Sequence, residues 1–124
     1  MAYLNDEVLD SGLDWLAANG ARLDICSQEP TTYGEATTDA AYSLGYKTSP
    51  SIASPTDRAA GGRECVVSAI ADGVVTETDT ATHWAITDGV SVLIATQQLS
   101  SPQNVTDGNA FTLNEFAIGI PDPA

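Results

Sequence analysis

Three Asp-Gly pairs divide the second half of the chain into segments rich in β-branched and aromatic residues. They are Asp72-Gly73, Asp88-Gly89 and Asp107-Gly108. Asp-Gly is favoured in tight hairpin turns because aspartate tolerates a positive φ and glycine has no side chain to oppose one. The spacing predicts a mainly β fold, a small antiparallel β-sandwich or barrel, with a β-meander over residues 63–120.

Two hairpins are predicted around the first two of these pairs. Residues 64–71 would pair with residues 74–79, and residues 82–87 with residues 90–96. In the second hairpin a two-residue loop sets Thr87 opposite Val90. Trp84, Ile86 and Leu93 then share one face of the sheet.

Apolar residues at intervals of three to four predict one N-terminal helix over residues 5–19. Its stripe consists of Leu9, Leu13 and Leu16, joined by Val8 and Trp15. Asn5 is a suitable N-cap, and Asn19-Gly20 is a typical end. The alternation after it predicts a strand over residues 22–27 that packs with the helix.

The middle of the chain, residues 28–62, is rich in Thr, Ser, Pro, Gly and Ala. It is expected to be a loop-rich surface segment with a short strand over residues 42–46. Near the end, residues 109–120 change the parity of their apolar positions. This change indicates a β-bulge near Asn114 or Glu115.

Charge limits the partners of this protein. In 124 residues, 17 acidic side chains face four basic ones, and the formal net charge is -13. Such a charge repels phosphate backbones and anionic lipid heads, so neither nucleic acid nor a membrane is expected as a partner. No apolar run approaches the ~20 residues that a membrane helix needs. The acidic start MAYLNDEVLD is unlike a secretory signal, and synthesis in the cytoplasm is expected.

Catalytic and metal sites are not indicated. His83 is the only histidine, and it lies within a predicted strand beside an aromatic residue, where a structural imidazole is the usual case. Cys26 and Cys65 also lie in alternating segments and are expected to be reduced, buried thiols. We expect no catalytic residues, no metal ligands and no cofactor, although calcium at the acidic turns stays an open question.

The resemblance to known proteins rests on several segments of the chain. They are LDWLAANGARLDICSQEPTTYGEAT, YSLGYKT, GGRECVVSAI, TATHWAITDG, LIATQQLS and GNAFTLNEFAIGIPDP. Together they resemble a family of small structural proteins encoded by tailed bacteriophages, whose members decorate the head or form tail and fibre modules. The resemblance implies assembly in many copies on a virion, in contact with other virion proteins, and it carries no catalytic residues.

The expected function is therefore that of a capsid decoration or cement protein, made in the host cytoplasm and located in the virion. Its partners would be the major capsid protein or tail proteins, and self-association, for example as a trimer, is compatible with this role. The helix and the loop-rich segment are the expected attachment surface, represented by Leu9, Leu13, Tyr33, Tyr42, Tyr46 and Lys47. Two alternatives are a tail or fibre module that binds a host surface glycan through loop tyrosines, and a small hydrolase that uses His83 with Cys65 or an acid.

Overall fold

The computed structural model describes residues 5–122 and is mainly β, with one main helix near the N-terminus. Two helices and nine strands follow one another within these residues. They are α1 (Asp6–Asn19), β1 (Arg22–Cys26), α2 (Tyr33–Thr37), β2 (Ser43–Thr48), β3 (Thr56–Asp57), β4 (Arg63–Val67), β5 (Ile70–Val75), β6 (Asp79–Thr87), β7 (Leu93–Val105), β8 (Ala110–Leu113) and β9 (Phe116–Ile120). The predicted class, a small antiparallel β-sandwich or barrel with one N-terminal helix, is confirmed.

The strands form two antiparallel sheets. The larger has the order β7-β6-β1-β2-β5-β8, and the smaller has the order β3-β4-β9. A short turn, residues 106–109, joins β7 to β8, although these strands are the two edges of the larger sheet. The larger sheet therefore curls so that its edges approach at this turn, and the Gln103 side-chain amide bonds to the carbonyl of Thr112 across the gap at 3.0 Å.

The main core lies between the curled sheet, the smaller sheet and α1. Every layer contributes fully buried apolar side chains, among them Leu13, Ile25, Val67, Ile86 and Phe111. The helix packs on β4, where the Cys65 thiol lies 3.5 Å from the carbonyl of Leu13. Burial of these side chains supplies most of the driving force for folding, at about 25 cal/mol per Å² of apolar surface.

Both predicted ends of α1 are confirmed by hydrogen bonds. The Asn5 side chain accepts from the amide of Glu7 at 2.8 Å, which satisfies one free N–H of the first turn. At the other end, the Gly20 amide donates to the carbonyl of Leu16 at 2.8 Å. A Cβ at Gly20 would lie 2.7 Å from Ile52, so glycine permits the close passage from α1 into β1.

Asp72-Gly73 is not a turn, and the prediction of a hairpin there is wrong. Both residues lie within β5, where Gly73 is paired with Phe111 of β8. The aromatic ring covers the glycine, and a Cβ there would overlap it. Glycine is thus required by a cross-strand aromatic contact, which a single sequence does not distinguish from a turn.

The second hairpin is real, but its predicted register is wrong. Thr87 pairs with Leu93 and not with Val90, because the loop covers residues 88–92. The Asp88 amide donates to the Val92 carbonyl at 3.1 Å and closes the loop. Leu93 consequently packs on the opposite face from Trp84 and Ile86.

The predicted meander over residues 63–120 is also wrong. Strand β4 pairs with β3 and β9, whereas β5 pairs with β2 and β8, so the chain changes sheet between β4 and β5 and again between β8 and β9. The parity change at Asn114 and Glu115 has the same origin. These two residues carry the chain from β8 in the larger sheet to β9 in the smaller one, and no bulge is needed. The loop-rich segment 28–62 contains α2, β2 and β3.

Candidate binding surfaces

A buried ion pair anchors the sheet face that is covered by α2. Asp24 of β1 is fully buried, and the Arg22 guanidinium binds both of its oxygens, at 2.7 and 2.9 Å. Ser43 donates a third hydrogen bond to this carboxylate at 2.8 Å. Burial raises the pKa of Asp24 above its usual value, although the bonds from Arg22 and Ser43 oppose the shift.

The three predicted tyrosines lie around this pair, on or beside α2 and β2, and each is half-buried. The Arg22 guanidinium stacks over the Tyr46 ring at 4.5 Å, and the nearby Tyr33 contributes to the raised pKa of Arg22 after the dominant bond to Asp24. Hydrogen bonding to Glu35 raises the pKa of Tyr42. The tyrosines therefore share one region, but Tyr46 is occupied by an internal contact.

The basic side chains are engaged within the chain. Lys47 binds Asp72 at 3.0 Å, and Arg58 donates to the carbonyl of Gly61 at 2.9 Å. Arg63 binds Asp10 of α1 at 2.8 Å and Asp57 of β3 at 2.7 Å, and these bonds raise its pKa. With Arg22 held by Asp24, all four basic side chains are hydrogen-bonded within the chain, three of them to carboxylates, and acidic side chains outnumber them by 17 to four. Lys47 is thus part of an ion pair and not an open attachment point.

The outward face of α1 differs from its predicted face. Leu9 and Leu13 are each 2% exposed and pack inward, so their assignment to an attachment surface is wrong. Val8 and Trp15, placed by the sequence in the buried stripe, are 58% and 49% exposed. They lie seven residues apart and therefore share one face of α1, with Ser11 and Gly12 between them; this exposed pair is the apolar patch of α1. Each residue advances about 100° around an α-helix, so Val8 and Trp15 lie on a different side of α1 from the three leucines. This angle was the sequence signal for the exposed pair.

The tip of the β6–β7 hairpin presents two further exposed apolar side chains. Val90 is 78% exposed and Val92 is 42% exposed. The Asp88 carboxylate accepts hydrogen bonds from the amides of Val90, Ser91 and Val92 at 2.8–2.9 Å, which fixes the loop. These bonds lower the pKa of Asp88. The valines are therefore displayed on an ordered turn, which the sequence prediction of a two-residue loop missed.

A groove of about 640 Å³ opens between β7 and the β8–β9 connection. Amide and hydroxyl side chains make up half of its lining, including Gln97, Gln98, Ser100 and Asn114. The buried Gln103 Oε1 has no hydrogen-bond partner among residues 5–122. At its base, the ring of Trp84 contacts that of Phe116 with centroids 4.6 Å apart. The run of amides in residues 97–104 was the available sequence signal for this groove.

His83 and the cysteines do not form a reactive cluster. His83 faces Cys26 across the β1–β6 pair, and its Nδ1 lies 2.9 Å from the Thr82 hydroxyl. Cys26 is fully buried, and burial raises its pKa to about 12, so the thiol is protonated at neutral pH. Cys65, the partner considered for His83, is on β4 in the other sheet and packs against α1.

Within residues 5–122, no group of three or more His, Cys, Asp or Glu side chains is placed to hold a metal ion. In the same part of the chain, no helix has the length and apolarity needed to cross a bilayer. Comparison with known proteins found no matching family model, curated protein or solved structure.

Proposed function

We propose that this chain is a structural protein of a tailed bacteriophage virion, most concretely a decoration protein that docks on the assembled head. The resemblance given by the sequence segments suggests this role, and the apolar patch on α1 is the observation that carries it. Val8 and Trp15 are large apolar side chains left exposed on an ordered helix. A surface tryptophan on the same helix face as a second apolar residue is typical of a protein–protein contact, where it would be desolvated.

The charge distribution is compatible with such a role. Because 17 acidic side chains face four basic ones, the chain as a whole is strongly anionic. Copies that coat a particle would then repel the coats of neighbouring particles. Docking to the closed shell, and not to free subunits, would stabilise the shell by mass action at every occupied site. This function requires adhesion and no chemistry.

The proposal is tested first by location and then by affinity. Immunogold labelling of phage particles should mark the head surface, and labelling confined to the tail, or none at all, would contradict the decoration role. Purified chain is then added to heads assembled without it. The double variant Val8→Ser/Trp15→Ser should bind about tenfold or more weakly, which corresponds to 1.4 kcal/mol. Val74→Ser is the matched control, since Val74 is 46% exposed on β5, outside α1.

A second candidate is a tail or fibre module that binds a host surface glycan. The groove favours it, because amides and hydroxyls at a concave site are the groups that bond sugar hydroxyls. The tyrosines first considered for this role lie around α2 and β2, whereas the groove is lined from β6 to β9. Tail labelling together with glycan binding that is lost in Gln98→Ala and Asn114→Ala would favour this candidate over the head protein.

A further inference from the structure

We infer that two copies of this chain associate through the free edge of β7, which pairs antiparallel with β7 of the second copy. β7 is an outer strand of the larger sheet: one side is hydrogen-bonded to β6, and no strand of residues 5–122 pairs with the other. With 13 residues, it is longer than the other edge strands β8, β9 and β3. A free edge presents a row of amide and carbonyl groups that another strand can bond.

The first part of the β7 edge, residues 93–98, lacks the protection that edge strands usually have. Edges are commonly blocked by charged side chains, by proline or by shortness. Yet residues 89–106, the longest uncharged stretch of the chain, include all of β7. Its single proline, Pro102, lies in an irregular stretch where residues 99–102 face Thr82. Residues 93–98 are therefore available for pairing.

The uncharged sequence of β7 allows a second copy to occupy this edge in spite of the net charge of the chain. Two molecules with a net charge of -13 repel wherever carboxylates meet. An antiparallel contact about a twofold axis within residues 93–98 brings one neutral strand against an identical one. The strand itself brings no charge to the contact. The Glu29 carboxylate, which accepts a hydrogen bond from the Thr96 hydroxyl at 3.1 Å, is the acidic group bonded to this segment, and its repulsion from the second copy's Glu29 is screened by salt.

Apolar surface beside the edge would be covered by the same contact. Val90 and Val92 at the hairpin tip continue directly into β7, and Leu93 and Ile94 at its start are only partly buried. The groove begins at Gln97, which leaves room for the end of an incoming strand alongside Gln97 and Gln98. Backbone pairing would thus be combined with burial of the valines, as a stable strand-to-strand interface requires.

Sedimentation equilibrium of the full chain over a concentration series tests the association. We expect a monomer–dimer equilibrium that strengthens with added salt, because salt screens the repulsion between the acidic bodies. Gln97→Glu/Gln98→Glu, which adds charge to the edge without changing side-chain size, should weaken the dimer about tenfold or more. Ser51→Glu/Ala53→Glu, at two exposed positions outside the larger sheet, should leave it unchanged apart from the salt-dependent effect of net charge. A wild type that stays monomeric at high salt, or equal effects of the two variants, would overturn the inference.

Cysteine scanning locates the interface independently of affinity. Single cysteines at Ala95, Thr96, Gln97 and Gln98 are oxidised mildly, while the native Cys26 and Cys65 are fully buried and do not compete. At least one variant should form covalent dimers in higher yield than Ser51→Cys, and yield should peak at the position nearest the twofold axis. If all four match the control, the β7 edge is not the interface, even if a dimer exists. Neither result depends on docking to a phage head, so the two proposals fail separately.

Discussion

Arg22 holds the fully buried carboxylate of Asp24 at two points, 2.7 and 2.9 Å, within a single strand. The same guanidinium donates to the carbonyl of Thr37 at 3.0 Å, and so joins α2 to the sheet. It also stacks on Tyr46 of the neighbouring strand. One side chain therefore connects β1, β2 and the segment that covers them, and the region that the sequence marked as a binding surface is held together from within.

Loss of Arg22 should be severely destabilising. Arg22→Leu leaves the Asp24 carboxylate buried without its partner, and we expect the free energy of unfolding to fall by about 3 kcal/mol. Urea titration followed by tryptophan fluorescence measures the change. Lys47→Met is the matched control, because it breaks the Lys47–Asp72 pair, in which Asp72 is largely exposed, and should cost less than about 1 kcal/mol. Similar losses in the two variants would contradict the structural role assigned to Arg22.

Asp24 should make the stability rise as the pH falls. Its pKa in the folded state is raised above the ordinary value of 3.8, so the folded state binds a proton more readily than the unfolded state does. Relative to Asp24→Asn, the wild type should gain stability as the pH falls through the folded pKa, and the gain should level off below 3.8. Unfolding curves of both proteins over a pH series provide the test. If the stability difference between the two proteins does not change with pH, or changes in the opposite direction, then the bond from Arg22 outweighs burial in setting the pKa of Asp24.

Asp88 should have the opposite dependence. Three backbone amides bind its carboxylate and lower its pKa, so its stabilising contribution is present above 3.8 and is lost as the pH falls through the folded pKa. Asp88→Ala should be less stable than the wild type at neutral pH, and the difference should close in acid. Hydrogen exchange of the Val90, Ser91 and Val92 amides should accelerate in the variant. Asp107→Ala, at the other Asp-Gly turn, should leave these three amides unchanged.

Two glycine substitutions should have opposite signs. Gly73→Ala forces a Cβ into the Phe111 ring, and the required shift should cost about 1–3 kcal/mol. Gly12→Ala places its Cβ 3.5 Å from Ile120, an ordinary contact, and should stabilise the exposed helix interior by up to about 1 kcal/mol. Thermal unfolding of both variants gives the comparison. If Gly73→Ala were neutral, the cross-strand contact with Phe111 would not explain the glycine.

Local signals predicted local structure well. The cap at Asn5 and the helical stripe of Leu9, Leu13 and Leu16 depend on residues close in sequence, and both are confirmed. The misreading of Gly73 has a different origin. Position 73 requires glycine because of Phe111, which is 38 residues away. The residues around an Asp-Gly pair do not reveal this contact.

The candidate surfaces depended on long-range packing in the same way. The sequence indicates the β6–β7 hairpin, but the choice of sheet for β4 and β9 is a property of the whole core. The sequence alone predicts that Trp15 and Leu13 cannot both face inward, since they differ by about 200° around the helix. The groove could not be predicted from the sequence, because it exists only where two sheet edges approach each other.

The two thiols provide the sharpest test of the hydrolase alternative. A catalytic cysteine needs an accessible thiolate, yet burial raises the pKa of Cys26 to about 12 and also raises that of Cys65. In the folded protein at pH 8, Ellman's reagent should therefore react with neither thiol at the rate of a free cysteine, and both should react once denaturant is added. Ser51→Cys should show rapid labelling of one thiol under the same native conditions. Rapid native labelling of Cys26, located by peptide mapping, would mean that the thiol facing His83 is open and ionised, and a catalytic role would then have to replace the structural one.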